Sequence, residues 1–360
     1  MPTLTVAIDA RLVTTRNTGD TSYWRGLIRG LAEGETDATY LLYSNAPRPD
    51  WIPDLQRFRW IHLDGPSRWW SLVRFPAAAR RAGASVIHTQ YSLSPLAWRR
   101  GVTTVHDVSF MIEPDWFKPK DRVLLQWQVP ASCRRARKVL TVSETSKGEI
   151  ERLIPGTRGK VVVTPNALGD NIMPVSPEQA RQVVAESFGV AGPYLFALGT
   201  RWPRKNLRLA VEAFQRLGPA MGLSLVVSGQ PGWGVEANCP GVVYTGYVSD
   251  EQLSALYCGA SLFLLPSLHE GFGIPILEAF ACSCPVLCGP GGAMPEVAGG
   301  AARVTAGYSA EEWAGAVADL LSDSSNLDAM RARGHERLQH YDWGTTARLT
   351  TDVYREVAGC

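Results

Sequence analysis

The chain has no Asp-x-Asp pair anywhere in its 360 residues. That removes the usual carboxylate clamp for a divalent ion beside a diphosphate. No uninterrupted apolar stretch approaches the ~18–20 residues that span a bilayer. The early apolar run Leu4 to Ile8 ends at Asp9 and is too short for a signal h-region. The expectation is a cytoplasmic protein. Cysteines are few, seven in all, and an odd number without a secretion signal favours reduced thiols. Cys282, Cys284 and Cys288 cluster, but not as C-x-x-C and with no ligand group following, so they read as small core residues rather than a metal site. No internal repeat, low-complexity segment or nucleic-acid-binding module is visible, which argues against nucleic acid as a partner.

A hydrophobic share of 45% and a charged share of 19% fit an ordinary globular protein. At 360 residues the chain exceeds the ~250–300 at which single cores stop growing, so two domains are expected. The net charge of +2 conceals an asymmetry: residues 1–173 carry 24 Lys and Arg against 16 Asp and Glu, and residues 174–360 carry 12 against 18. Bases alternate with aromatics in Arg57-Phe58-Arg59-Trp60, Arg68-Trp69-Trp70 and Arg74-Phe75. Such runs are most often solvated faces. They also suit contact with an anionic membrane or an anionic acceptor.

Strand and helix signals alternate. Strands are predicted at Leu4–Asp9, Tyr40–Tyr43, Val86–Thr89, Val102–Val105, Val139–Val142 and Val161–Val163. Helices are predicted at Thr21–Glu33, Arg122–Ala136 (with Pro130 as a kink or break) and from the cap Ser143 to Leu153. After a loose stretch around Asn166–Pro177 a second series begins. Its strands are Tyr194–Leu198, Leu223–Val227, Val242–Thr245, Leu262–Leu265 and Val286–Cys288, with helices between them. Apolar, non-alternating strands of this kind suit parallel sheets covered on both faces. The expected class is α/β: two Rossmann-like, doubly wound domains, 1–173 and 174–340, with 341–360 a final helix packing back on the first. Ligands of such sheets bind beyond the carboxyl ends of the strands.

Glu270-Gly-Phe-Gly-Ile-Pro-Ile-Leu-Glu278 is the most informative segment. Pro275 suits the first turn of a helix. Gly271, Phe272, Gly273 and Ile274 would then present backbone amides at that helix's start, a natural anion site. Glu270 lies just before it and Glu278 about one turn inside, and both accept hydrogen bonds from hydroxyls. An anion nest beside hydroxyl acceptors suits a sugar nucleotide; the plainer alternative is a capped helix with a charged end. Upstream, Gly199-Thr-Arg-Trp-Pro-Arg204-Lys205-Asn206 follows a strand, and its two cations can neutralise a diphosphate. The loops holding Gly229 (Ser228–Trp233) and Tyr247-Val248 could meet a flat base with backbone groups, although ordinary turns contain such residues. His106-Asp107 ends a strand in the first half. His106 could meet a sugar or reacting hydroxyl, with Asp107 orienting the imidazole or taking a proton. Gly19, in Thr18-Gly19-Asp20, could bring amides to a phosphate.

With these residues in place, the chain resembles the retaining glycosyltransferases of family 4, which have the GT-B architecture. The motifs from Gly199 to Val297 come in family order, and Thr103-Val-His-Asp-Val-Ser-Phe and Thr141-Val-Ser-Glu-Thr-Ser-Lys look like first-domain signatures. The resemblance implies that Glu270 and the amides after it hold the transferred sugar and its phosphate, Glu278 the ribose, Arg204 and Lys205 the diphosphate, and His106 the C6 side of the sugar. It implies a nucleotide-sugar donor, a carbohydrate or lipid-linked acceptor, and no metal or other cofactor. Val105–Phe110 with Glu113-Pro-Asp-Trp-Phe looks like members that use GDP-mannose. Many members have Gly-x-Gly where this chain has Gly19-Asp20-Thr21, which puts the role of that loop in question. A sugar-nucleotide epimerase or a non-catalytic binding subunit of the same fold are the alternatives.

Overall fold

The computed structural model describes residues 4–15, 19–34, 37–65, 69–230, 232 and 239–359. Thr18, Arg68, Pro231, Trp233 and Cys360 therefore lie outside the described residues. The chain divides into two compact units: Met1–Ala167 with Asp342–Cys360, and Leu168–Tyr341.

The first unit is built on a seven-stranded parallel sheet: β1 (Thr5–Asp9), β2 (Thr39–Ser44), β3 (Phe58–His62), β4 (Val86–Gln90), β5 (Gly101–Thr104), β6 (Lys138–Thr141) and β7 (Val161–Val163), in the order β3-β2-β1-β4-β5-β6-β7. Order reverses between β1 and β4, the position at which doubly wound sheets open a crevice. One face buries Ala7, Ile87, Val105 and Val139 with Phe75 and Trp70. On the other face lies a buried polar chain, in which His88 Nδ1 is 2.6 Å from the Tyr354 hydroxyl and Nε2 is 2.8 Å from Thr104 Oγ1. Tyr23 Oη is 3.0 Å from the same Thr104 oxygen. Burial pushes the His88 pKa down to about 3, so the ring is neutral and the network uncharged. Tyr354 belongs to the last helix, Trp343–Ala358, which packs along the helix Gly19–Glu33 through Gly26 and Gly30.

The second unit repeats the topology with β8 (Tyr194–Leu198), β9 (Ser224–Ser228), β10 (Val242–Gly246), β11 (Leu262–Leu265), β12 (Val286–Cys288) and β13 (Arg303–Val304), in the order β10-β9-β8-β11-β12-β13, again all parallel. Its reversal lies between β8 and β11. Leu207–Leu217 supplies the most strongly apolar helix face, with Leu209, Val211, Phe214 and Leu217 packed against Leu225 and Val227.

Among the differences from the expectation are three elements. Arg57-Phe58-Arg59-Trp60 is an edge strand: Phe58 is buried and Arg59 exposed, while Arg57 reaches back to the Ala32 and Gly34 carbonyls. Half of that basic-aromatic run is thus sheet alternation. The helix Pro119–Arg135 starts earlier than expected and continues through Pro130, whose ring is buried. Pro177–Phe188 is a helix that the sequence reading left unassigned, although Ser176 and Gln179 form a capping box and Gly189 ends it at φ +70°. Among the described residues no helix is long and apolar enough to cross a membrane.

Candidate active site

The site in the second unit sits at the carboxyl ends of β8 to β11, where sheet order reverses. The chain turns after β8 as Pro203–Lys205, and Asn206, at φ +48°, starts the next helix. The loops are tied together through the backbone: Gly199 N donates to Ser228 O at 2.9 Å, Gly229 N to Gly246 O at 2.9 Å, and Leu268 N to Arg204 O at 2.8 Å. Gly229 holds φ +132°, and a Cβ there would collide with the Gly199 carbonyl, so only glycine allows these two loops to touch.

Arg204 and Lys205 converge on one carboxylate. Lys205 Nζ is 2.6 Å from Glu270 Oε1 and Arg204 Nη1 is 3.1 Å from Oε2. Arg204 Nη1 also donates to the His269 carbonyl. Glu270 is 7% exposed. Burial alone would raise its pKa. The charges of Lys205 and Arg204 and the Lys205 hydrogen bond outweigh burial and hold it at about 2. The Glu270 carbonyl accepts from Ala293 N at 2.8 Å.

Gly273, at φ +104°, turns the chain into the helix Ile274–Ala281, with Pro275 in the first turn. Among the described residues no acceptor lies against the N–H groups of Phe272, Gly273 and Ile274; the first amide with a partner is Ile276, which donates to Gly273 O. The Phe272 ring is buried edge-on to Tyr341, so that residue offers only its backbone. Glu278 is also 7% exposed, and its Oε2 accepts from Tyr257 Oη at 2.9 Å. Burial raises its pKa, against hydrogen bonds from Tyr257 and Asn171. Beyond β10, Tyr247 is exposed and Val248 is buried, which leaves Tyr247 as the side chain available to a flat ring.

Several residues of this site were not singled out in the sequence. Gly291 and Gly292 press against Leu268 and Glu270 so closely that a Cβ at either would overlap their backbone. Tyr308 Oη bridges the same loops, donating to Ser267 O at 2.8 Å and accepting from Gly291 N at 3.0 Å. The Gly289-Pro-Gly-Gly292 run after a strand was a visible signal. Tyr257 and Asn171 were not signalled by any motif.

In the first unit, His106 is 9% exposed and its pKa is lowered by burial, against the nearby charges of Asp20 and Asp107. Asp107 Oδ1 accepts from Ser109 N at 2.8 Å and Ser109 Oγ at 2.5 Å, capping a short helical turn. Asp20 also faces the imidazole, with Oδ1 3.5 Å from His106 Nε2. Gly19 opens the helix Gly19–Glu33 with free space beside it, and Asp20 turns toward the histidine. The Ser143 hydroxyl caps its helix by accepting from Ser146 N. Cys282, Cys284 and Cys288 are buried, and among the described residues no group of three or more metal-ligating side chains comes together.

Comparison with known proteins gives this geometry a family. Residues 192–323 match the family described as glycosyl transferases group 1, and residues 18–169 match glycosyltransferase family 4. The chain is 34% identical over 273 residues to O-antigen chain mannosyltransferase B of Escherichia coli, covering 72% of this chain and 71% of that protein. It superposes on sucrose-phosphate synthase from Thermosynechococcus elongatus with a TM-score of 0.75 at 18% identity, covering 99% of each chain. On Anabaena HepE in complex with UDP-glucose the TM-score is 0.73 at 15% identity, covering 98% of this chain and 100% of that one. The structural matches establish the GT-B fold, and the sequence matches establish that the chain belongs to the glycosyltransferases of family 4.

Proposed function

We propose that the protein transfers a hexosyl unit, mannose in the first instance, from a nucleoside-diphosphate sugar to a hydroxyl of a glycan, lipid-linked or small-molecule acceptor. The observation that carries this reading is the convergence of Arg204 and Lys205 on Glu270, beside the acceptor-free amides of residues 272–274. A pyrophosphate entering there meets two cations and a helix start. Glu270, relieved of part of its pairing, is left to take hydroxyls of the sugar, and Glu278 to take those of the ribose. The mannosyl preference rests on the E. coli relative and on the resemblance in residues 105–117.

In this reading the acceptor oxygen bonds to the anomeric carbon on the face from which the nucleoside diphosphate departs. The carbon–oxygen bond to phosphate breaks, and the acceptor's proton passes to a leaving phosphate oxygen, so configuration is retained. Arg204 and Lys205 stabilise the charge that builds on the leaving group, a part a divalent ion plays elsewhere. No metal is required.

In the same reading the protein works at the cytoplasmic face of a membrane, in peripheral contact through the first unit. Trp127 is 79% exposed and Leu124 58% on the helix Pro119–Arg135, and Trp98 is 62% exposed beside Arg99 and Arg100. Exposed tryptophan flanked by cations fits an anionic bilayer surface.

The test is thermal stabilisation by GDP, UDP and dTDP, followed by sugar release from the matching donor with and without EDTA. Stabilisation by GDP with EDTA-resistant turnover of GDP-mannose is expected. Stabilisation by no nucleotide would remove the reading. Co-sedimentation with anionic but not neutral vesicles tests the membrane contact.

A further inference from the structure

Glu270 stands where two loops of the second unit meet. Its own loop, from Ser267, follows β11, and the Gly289–Gly292 run follows β12. Both are joined from a third place. Tyr308 follows β13, at the edge of that sheet and two strands from β11. Its hydroxyl accepts from Gly291 N at 3.0 Å and donates to Ser267 O at 2.8 Å, so one oxygen links the two loops. The transfer chemistry above does not use it.

The turn that presents Tyr308 is itself fixed. Glu312 Oε1 accepts from Ala306 N at 2.6 Å and from Gly307 N at 3.3 Å. The Gly307 carbonyl accepts from Thr305 Oγ1 at 2.9 Å and from Trp313 Nε1 at 3.1 Å. Trp313 is buried in the helix Ala310–Ser322, which the Ser309 hydroxyl caps. The Tyr308 side chain lies so close to Gly289 and Gly291 that a Cβ at either would overlap it. Burial pushes the phenol pKa up to about 12, so at neutral pH the hydroxyl keeps the proton that it donates to Ser267.

The loops joined by this oxygen are the ones that set Glu270. Leu268 N donates to Arg204 O at 2.8 Å, on the side of the β8 loop. On the other side Glu270 and Gly292 form a parallel bridge, and Ala293 N donates to Glu270 O at 2.8 Å. We propose that Tyr308 is a positioning residue for the transferred sugar: by tying Ser267 to Gly291 it sets the Glu270 carboxylate where sugar hydroxyls meet it. The sugar role rests on the reading of Glu270 given above; the tether does not. Arg204, Lys205 and Glu278, assigned to the diphosphate and the ribose, sit on other segments than the two that Tyr308 joins. Loosening the tether therefore weakens what the sugar adds to binding and leaves the nucleotide's own affinity in place.

Tyr308→Phe removes the hydroxyl and keeps the ring. Gly291→Ala forces the same loops apart with the tyrosine intact, because its methyl would meet the Leu268 carbonyl and the Tyr308 hydroxyl. GDP, GDP-mannose, UDP and UDP-glucose are titrated calorimetrically into the wild type and both variants. In each variant the nucleotide that binds should change affinity by less than about twofold, and its sugar nucleotide should bind about tenfold more weakly. A merely structural role would lower stability and the fraction of competent sites, and would not move the ratio of the two affinities. An unchanged ratio in Tyr308→Phe overturns the proposal, and so does an equal weakening of nucleotide and sugar nucleotide. Hydrogen exchange on the same proteins reads the tether without any ligand: segments 267–270 and 289–292 should exchange faster in Tyr308→Phe. Unaltered exchange overturns the tether. A wild type that binds neither GDP nor UDP overturns the nucleotide-sugar reading and the sugar role with it, while the exchange data still decide the tether.

Discussion

Lys205 Nζ lies 2.6 Å from Glu270 Oε1, so the cation assigned to the donor's diphosphate is engaged by a carboxylate of the protein itself. Diphosphate must compete with that carboxylate for Lys205 and Arg204, and the exchange is what frees Glu270 for hydroxyls. Lys205→Ala is expected to lower kcat by two to three orders of magnitude, since one preorganised charge at a leaving group is worth about 3–4 kcal/mol. It should also lower the melting temperature of the ligand-free protein, because Glu270 loses its closest partner. Steady-state kinetics and a melting curve on the same preparation check both; near-normal turnover would contradict the assignment.

The same cluster sets an acid limit. The folded-state pKa of Glu270 is held at about 2, against an ordinary 4.5. A carboxylate with a lowered pKa contributes stability that is complete above 4.5 and is lost as pH falls toward about 2. Glu270→Gln removes the charge and leaves two half-buried cations unpaired, a loss on the order of 3–5 kcal/mol by analogy with broken buried pairs. The stability gap between wild type and Glu270→Gln should therefore be largest near neutral pH and shrink through that acid window. Chemical denaturation at a series of pH values measures it, and a gap that stays constant down to the acid end would refute the pairing.

Tyr257 is the support of Glu278. The 2.9 Å bond from its hydroxyl fixes one carboxylate oxygen. Tyr257→Phe keeps the buried ring between Phe196 and Phe263 and removes only that bond. KM for the donor should rise several-fold with kcat little changed, because ribose binding is shared by ground state and transition state. The raised pKa of Glu278 adds a sign: donor affinity should fall as pH drops through it, and the loss of the Tyr257 bond should move that fall to higher pH.

Asp20 stands where a glycine-rich phosphate loop was the family expectation, and it faces His106 rather than an anion. Its charge raises the His106 pKa against the larger, lowering effect of burial. Asp20→Asn should therefore lower the His106 pKa further, read by titrating the imidazole resonances. No movement would show that the 3.5 Å contact carries no coupling.

Both sheets, and most of the second unit's site, were legible because their signals are local. β8 and β11 are continuous apolar runs, and Pro275 after Gly273 marks a helix start by backbone chemistry alone. What stayed hidden is set by packing between distant segments. The partner of Glu278 is a tyrosine 21 residues away on a different helix, with no motif around it. His106 is faced by Asp20 as well as by its neighbour Asp107, because the fold brings the first helix to the end of β5. β3 was obscured for a different reason: alternating aromatic and cationic residues fit an edge strand and a charged surface equally well.

The packing of Trp343 on Gly26 gives a prediction for the closing helix. A Cβ at Gly26 would overlap the Trp343 indole, and one at Gly30 would overlap the Trp343 backbone carbonyl. The two helices approach this closely because helix Gly19–Glu33 presents glycines where they cross. Gly26→Ala is expected to cost about 1–3 kcal/mol through overpacking, despite alanine's better helix propensity. Trp343→Ala opens the space and loses apolar burial. In the double variant the added methyl meets no indole, so the combined loss should be clearly smaller than the sum of the single losses. Gly30→Ala should not be relieved by Trp343→Ala, because its clash is with backbone rather than with the ring. Equilibrium denaturation of the wild type, the three single variants and the two double variants decides the matter. Strict additivity of Gly26→Ala and Trp343→Ala would mean that the indole is not what holds Gly26 to glycine.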